Sequence, residues 1–534
     1  MSQAPQNSPA ATSSQSNPAT NLALLVLLTT LAFAVMGYHP GLEDDAFYLA
    51  AIKRNLNPAL FPHDSEFFRL QFQATIFDKL IALSSRFSHI PLDWTILLWQ
   101  FAAIFSLLHG CWRIARRCFA PPEAQWAAVT TVALLLTLPV SGTAINLADQ
   151  YLHPRTLATA AIVTAIVAVL DRRLWLAGLL LAAAFSIHAI MASFGISFCA
   201  FLLWNQRASW SKRPSVTLAA AFFLPMGWIF EPASDAWRQA AATRGFYFLA
   251  RWQWYEWLGI FAPLVLLYLL LRLLRSRRTD RDDAPALPLL VSSLLYYGVF
   301  QIAVALLIML PPSLERLRPF EPMRCLHLLY LLFFLIAGGL LGRYVLGRKV
   351  YRWLLLFLPL GAGMFYAQRQ MYSASAHLEF PGIAPRNPWL QAFAWIRQNT
   401  PVDSLFALDP HYVTLPGEDY HGFRALAERS VLADYEKDGG MAARVPRLAP
   451  RWLKEVTAQS GWQDFQAADF QRLKDEFGVS WVILSRESEQ KGAQKGAQKD
   501  TQQDVAQATA ARDPAHFGMT CPYQNAQLQV CRLY

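Results

Sequence analysis

The stretch that decides the fold is Leu174–Trp204, LWLAGLLLAAAFSIHAIMASFGISFCAFLLW, a run of 31 residues without a charge. A helix that spans a bilayer needs about 17–25 mostly apolar residues. This run is too long for one ordinary span and short for two. We divide it at Ile187–His188 into two short helices, because the charges on either side require it. Basic residues mark the cytoplasmic ends of spans. They cluster at Arg113/Arg116/Arg117, Arg172/Arg173, Arg207/Lys212/Arg213, Arg275/Arg277/Arg278/Arg281 and Arg343/Arg348/Lys349/Arg352. With the run divided and the N-terminus inside, all five clusters fall on one side. Undivided, the clusters before and after it fall on opposite sides.

Working outward, eight further stretches are apolar and long enough: Asn21–Tyr38, Trp94–Trp112, Gln125–Val140, Val216–Phe230, Leu258–Leu274, Leu287–Leu310, Cys325–Leu341 and Trp353–Tyr366. Leu157–Leu170 is shorter and bounded by charge. The expected fold is mostly α, a polytopic transmembrane bundle of about eleven spans followed by an extramembrane α/β domain. The composition agrees, with 54% hydrophobic and only 16% charged residues, where a soluble domain has about 25% charged. The net charge of +10 resides largely in the cytoplasmic loops and needs no nucleic-acid partner. Residues 1–20 read as a disordered cytoplasmic tail, 21–368 as the membrane domain with an external loop at 39–93, and 369–534 as the outer domain. In that last part, strands are predicted at Ser404–Leu408, Ser430–Ala433, Val479–Leu484 and Leu528–Leu533. Helices are predicted at Trp389–Asn399, Arg451–Gln459 and Ala467–Phe477. Glu489–Asp500 is a low-complexity insertion. Cys111, Cys118, Cys199 and Cys325 read as small apolar residues, whereas Cys521 and Cys531 suit a hairpin-closing disulfide in an oxidising compartment.

The outer loops hold the residues suited to chemistry. His39-Pro-Gly-Leu-Glu-Asp-Asp-Ala-Phe-Tyr48 places Glu43, Asp44 and Asp45 just outside the first span. A helix start enriched in acids is the plain reading. The chemical reading is a general base or a metal ligand, with the membrane boundary raising a carboxyl pKa toward a useful range. Asp64 and Glu66 add acids in the same loop. Arginines are normally kept off the translocated side, yet Arg155, Arg244, Arg251, Arg316, Arg318 and Arg324 lie there. Guanidinium groups grip phosphate through a planar donor fork, although snorkelling or pairing with Glu315 and Glu321 would account for individual ones. His153 and His188 either pack or join that site. The aromatics Phe246, Tyr247, Phe248, Trp252, Trp254, Tyr255 and Trp257 suit an interfacial belt or stacking on a sugar or prenyl chain.

These features together resemble the GT-C superfamily of polytopic membrane glycosyltransferases. The resemblance rests on the acids Glu43-Asp44-Asp45 after the first span, the long amphipathic first loop, Arg318-Pro-Phe-Glu-Pro-Met-Arg324 before a late span, and the domain after the last. It implies a polyprenyl-phosphate-linked sugar as donor and a glycan, lipid or protein as acceptor, with inversion by direct displacement. The catalytic acids would be among Glu43, Asp44 and Asp45, with the base either Asp44 or Asp45. Arg318 and Arg324 would hold the donor phosphate, with Arg251, Arg155, His153 and Asp64 as further binding candidates. The superfamily divides on metal dependence, so the resemblance allows a divalent ion, Mg or Mn, on Asp44 and Asp45 without requiring one. The expected location is a bacterial inner membrane, and the basic clusters place the N-terminus in the cytoplasm and the C-terminal domain in the periplasm. A lipid or glycan transporter and an inactive scaffold of the same architecture are the rival readings. A transporter would be expected to show internal repeats and polar sites at the membrane midplane, and neither is evident in this sequence.

Overall fold

A computed structural model describes residues 17–207, 232–276, 286–486 and 519–534. Among these, seven helices are long and apolar enough to cross a membrane, and Pro154–Leu170 and Leu174–Ile187 are shorter apolar helices. The chain is a multi-pass membrane protein. The long run breaks where the charges required it: Leu174–Ile187 ends at His188, whose extended backbone (φ −154°, ψ 91°) separates it from Ala189–Arg207. The expected spans Val216–Phe230 and the insertion Glu489–Asp500 lie outside the described residues, as do residues 1–16 of the expected tail. Residues 18–20 of that tail are already helical, because Asn17 caps Pro18–Met36 by accepting from the Ala19 N–H.

The first two basic clusters lie at helix ends that meet. Asp171 accepts from Arg117 Nε at 2.6 Å and Nη2 at 2.5 Å, tying the end of Leu92–Cys118 to the end of Pro154–Leu170. One expected span is corrected. The helix at Gln125–Val140 runs from Pro122 to Leu134 and is too short to cross alone. Leu138 precedes a proline, which disfavours the helical region, and the chain turns into strand β1 (Pro139–Val140), paired antiparallel with β2 (Ile145–Asn146). That hairpin leaves room for a cavity beside it.

The first outer loop folds into helices Asp45–Leu56, Glu66–Ala74 and Phe77–Ser88. After the last span, Val350–Met371, the outer domain forms a five-stranded mixed sheet. Its strands are β3 (Leu405–Ala407), β4 (Ser430–Val431), β5 (Trp481–Ser485), β6 (Met519–Gln524) and β7 (Leu528–Leu533), in the order β4-β3-β5-β7-β6. The first three are parallel and the last three antiparallel. Strand β6 was not anticipated: it alternates buried and exposed residues beside β7, a weak signal around a proline. Cys521 and Cys531 form a disulfide across these two strands, and the other four cysteines are buried thiols.

The two halves dock through the first loop. Glu43 N–H donates to the Tyr420 carbonyl, and Gly422 N–H to the Gly41 carbonyl. A Cβ on Gly422 would lie 2.7 Å from the Ala46 Cα, so a glycine is needed for this approach. Beneath, Asp64 and Asp438 clasp the buried Arg424 guanidinium. Asp64 therefore anchors the loop to the outer domain and does not reach a substrate, contrary to its expected binding role.

Candidate active site

A cavity of about 670 Å³ opens between the first loop, the β1–β2 hairpin and the outer domain. Of the acidic triplet, Glu43 and Asp44 line it and Asp45 does not. The Asp45 carboxylate turns back to accept from the Gly41 N–H at 2.7 Å and is buried. Burial, opposed by that bond and by Lys53, raises its pKa to about 7. Asp44 keeps 28% of its side-chain surface, facing the cavity. Here the expected upward shift is reversed. Burial alone would raise the Asp44 pKa, but Lys437, then Arg444 and Arg244, outweigh it and hold the carboxyl well below the ordinary carboxylate range.

Those three cations complete the site, and two come from the outer domain. Lys437 and Arg444 sit seven residues apart on helix Lys437–Arg444 and so share a face. Lys437 pairs closely with Glu43 and lies 4.0 Å from Asp44 Oδ1. Gly440 lies on the same face, and a Cβ there would fall 2.4 Å from the Arg244 guanidinium, which needs that space. Arg444 Nη2 donates to Glu321 Oε1 at 2.8 Å, and Arg324 pairs with the other carboxylate oxygen. Burial acts to raise the Glu321 pKa, yet Arg324 and Arg444 lower it overall. Glu43 and Glu321, which hold these cations, both have left-handed backbone, φ 50° and 53°. Such strain in non-glycine residues costs about 1–2 kcal/mol each and clusters at functional sites.

Across the cavity, Arg155 Nη2 donates to Asp149 Oδ1 at 2.5 Å, while its buried Nε and Nη1 have no hydrogen-bond partner. Two donors of a buried guanidinium thus remain for an anion. His153 is the N-cap of the following helix, its Nδ1 accepting from the Arg155 N–H at 2.9 Å. Burial, then Arg155, pushes its pKa well below the ordinary histidine value, so a neutral ring packs against Tyr48 at 4.8 Å. Arg251 and Arg318 stand elsewhere. Both lie over Phe248, at 4.9 and 5.4 Å, and line a separate recess of about 190 Å³. Of the aromatics, Phe246 and Tyr255 line the main cavity, whereas Trp254 is largely exposed, as an interfacial belt would have it.

A third cavity, of about 280 Å³, is lined by Tyr48, Ala74, Thr75, Pro154 and residues Ile187–Ile190 at the helix break. Arg324 and Arg444 line it too, so these two side chains stand between an apolar chamber and the polar one. Asp44 and Asp45 do not suit a divalent ion as a pair. Asp45 is committed to Gly41, and Asp44 already sits among cations. Among the described residues, three metal-ligating side chains come together only at His39, Glu379 and His421, outside this cavity.

Comparison with known proteins accords with this arrangement. Residues 76–229 match the family model described as dolichyl-phosphate-mannose-protein mannosyltransferase. The match covers part of the membrane domain. The matched segment contains Asp149, Arg155 and the break at His188, and begins after Asp44. Residues 387–445, which end just past Arg444, match a domain of unknown function, DUF6798. No curated protein matches the chain. Among solved structures, it is similar to the Archaeoglobus fulgidus oligosaccharyltransferase in the apo form, with 10% identity over 89% of this chain and 70% of that one and a TM-score of 0.44. It is likewise similar to AglB from Archaeoglobus fulgidus in complex with an inhibitory peptide and a dolichol-phosphate, with 11% identity, 93% and 72% coverage and a TM-score of 0.45.

The sequence reading missed Lys437 and Arg444. Their i, i+7 spacing across Gly439-Gly440 was the available signal, but it becomes meaningful only once the outer domain is docked.

Proposed function

We propose that this enzyme moves a sugar from a polyprenyl-phosphate donor to an acceptor hydroxyl, on the outer face of the membrane, with inversion at the anomeric carbon. The observation that carries this reading is the position of Arg324 and Arg444 on the wall shared by the two cavities. A lipid-linked sugar has an apolar tail, a phosphate and a polar head in that order, and the chambers follow the same order. The prenyl chain enters at the helix break by Ile187–Ile190. The phosphate lies against Arg324 and Arg444, and the sugar meets the acceptor in the larger cavity beside Asp44.

Asp44 is the residue we assign as base. In the free protein its proton affinity is suppressed by Lys437 and Arg444. An arriving phosphate neutralises part of that positive charge, so Asp44 becomes more basic only once the donor is in place. The acceptor O–H then gives its proton to Asp44 as its oxygen bonds to the anomeric carbon. The bond from that carbon to the phosphate oxygen breaks, and the arginines hold the departing charge. The outward orientation fits the shared inner face of Arg117 and Asp171, and a disulfide in the outer domain suits an oxidising compartment. The domain limits we adopt are 21–368 for the membrane part and 369–534 for the outer domain.

The test is transfer by the purified full chain from a panel of polyprenyl- and dolichyl-phosphate sugars, beginning with mannose. Loss of transfer in Asp44→Asn, with donor binding kept, is expected. Undiminished transfer in that variant would sink the assignment, and donor binding without transfer by the wild type would favour an inactive scaffold.

A further inference from the structure

Away from the cavity, three side chains from distant parts of the chain converge where the membrane domain meets the outer domain. His39 follows the first span, Glu379 follows the last, and His421 belongs to the loop that docks on Gly41. Their ligand atoms all lie within 4.8 Å of one another. His39 Nδ1 is 3.6 Å and His421 Nε2 is 3.4 Å from the same oxygen, Glu379 Oε2. Both histidines are fully buried.

The hydrogen bonding at this junction is incomplete. Neither ring nitrogen of His39 has a partner within 3.5 Å, the nearest acceptor being Glu379 Oε2 at 3.6 Å, although a neutral imidazole carries one N–H that needs an acceptor. His421 Nδ1 is 3.0 Å from the Glu418 carbonyl, an acceptor, so its proton sits there; Nε2 then meets Glu379 Oε2, in a long 3.4 Å hydrogen bond, with a lone pair unless the ring takes up a second proton. A lone pair then faces a carboxylate oxygen, which a cation between them would reconcile. A proton on His421 Nε2 would satisfy that pair and still leave His39 with only its 3.6 Å contact to the same oxygen. One metal ion satisfies all three residues.

We propose that His39, Glu379 and His421 bind a divalent transition metal of the zinc class as a structural clip. Two imidazoles and a carboxylate are a donor set zinc accepts, and the Glu418 carbonyl supplies the outer bond that fixes the ligand tautomer. His377 stands near the group without belonging to it, which leaves the fourth position of a tetrahedral ion to water. The His377 ring centroid is 6.4 Å from that of His39, its Nε2 donates to the Ala34 carbonyl at 2.8 Å, and its buried Nδ1 is unpartnered. The backbone already brings these segments together, through Tyr38 N–H to the His377 carbonyl and Glu379 N–H to the Tyr38 carbonyl. The clip fixes the loop that bears Asp44 against the outer domain. None of its three ligands lines the substrate cavity, so the inference stands apart from the proposed transfer reaction.

The experiment takes the full chain in detergent, stripped with chelator and then titrated with Zn²⁺ or Co²⁺. Metal per chain is read by mass spectrometry, geometry by the visible absorption of bound Co²⁺, and stability by melting temperature. We expect one ion per chain, a four-coordinate Co²⁺ spectrum and a melting temperature raised by metal. His39→Ala, His421→Ala and Glu379→Gln should each weaken binding by at least about tenfold. Uptake unchanged in all three variants would overturn the proposal. So would a wild type that gains neither metal nor thermal stability, an outcome that can be read even where a variant does not fold.

Discussion

Arg444 of the outer domain donates to Glu321 of the membrane domain across 2.8 Å, and the same carboxylate holds Arg324. One buried acid thus sets the spacing of the two guanidinium groups on the wall between the cavities. The site exists only when both halves of the chain are docked, and Glu321 is where their charges meet.

Glu321→Gln removes the charge but keeps the shape. Arg324, which is buried, and Arg444, whose side chain is 30% exposed, then repel with no countercharge between them, which weakens the join between the two domains. We expect a lower melting temperature and a rise of at least about tenfold in KM for the donor, since tenfold is about 1.4 kcal/mol of binding. A normal donor KM would show that the arginines are positioned by other contacts.

Asp44 is ionised in the free protein at any ordinary pH, because Lys437 and Arg444 depress its pKa. The acid limb of kcat/KM, which reports the free enzyme, should therefore not be set by Asp44 above the usual carboxylate range. The acid limb of kcat should lie higher, because the bound phosphate offsets the cations. Lys437→Met removes the first of those cations and should shift the Asp44 contribution to kcat/KM upward in pH. The measurement is a pair of pH profiles for wild type and variant, and superimposable kcat/KM limbs would count against the assignment.

Asp45→Asn separates the two neighbouring acids. An amide oxygen can still accept from Gly41, so transfer should stay within about threefold of wild type, where Asp44→Asn loses it. The pH dependence has a definite sign. The folded pKa of Asp45, about 7, lies above the unfolded value of about 3.9. Its protonated form is therefore favoured by folding, and that stability is lost as pH rises from about 4 to 7. The variant's melting temperature should fall less than that of the wild type over this window.

Much of the membrane half is legible in the sequence, because span length and basic flanks are local signals. The break at His188 needed only a charge-free run of Leu174–Trp204 between two basic clusters. The first-loop acids were legible as a group but not individually. Whether Asp44 or Asp45 faces the cavity depends on the turn at Gly41, and whether its pKa rises or falls depends on Lys437, almost four hundred residues away. Asp64 looked like a substrate acid for the same reason: its partner Arg424 is remote in sequence. Residues whose meaning comes from docking two domains carry no local periodicity or spacing to reveal it.

That docking can be tested directly at Arg424, whose guanidinium is buried between Asp64 of the first loop and Asp438 of helix Lys437–Arg444. Asp438 sits beside Lys437, so this ion cluster fixes the helix that supplies two of the site's cations. Asp64→Asn leaves Arg424 with half of its countercharge, and breaking such a buried pair costs about 3–5 kcal/mol. Two consequences should appear together: a lower melting temperature, and a loss of transfer that tracks the loss of Lys437 and Arg444 from the cavity. Replacing Arg424 by Met together with Asp64 and Asp438 by Asn should restore part of the stability, because none of the three buried charges is then left without its partner. If the single variant melts lower yet transfers sugar at the wild-type rate, the cations are held in place by Glu43 and Glu321 alone.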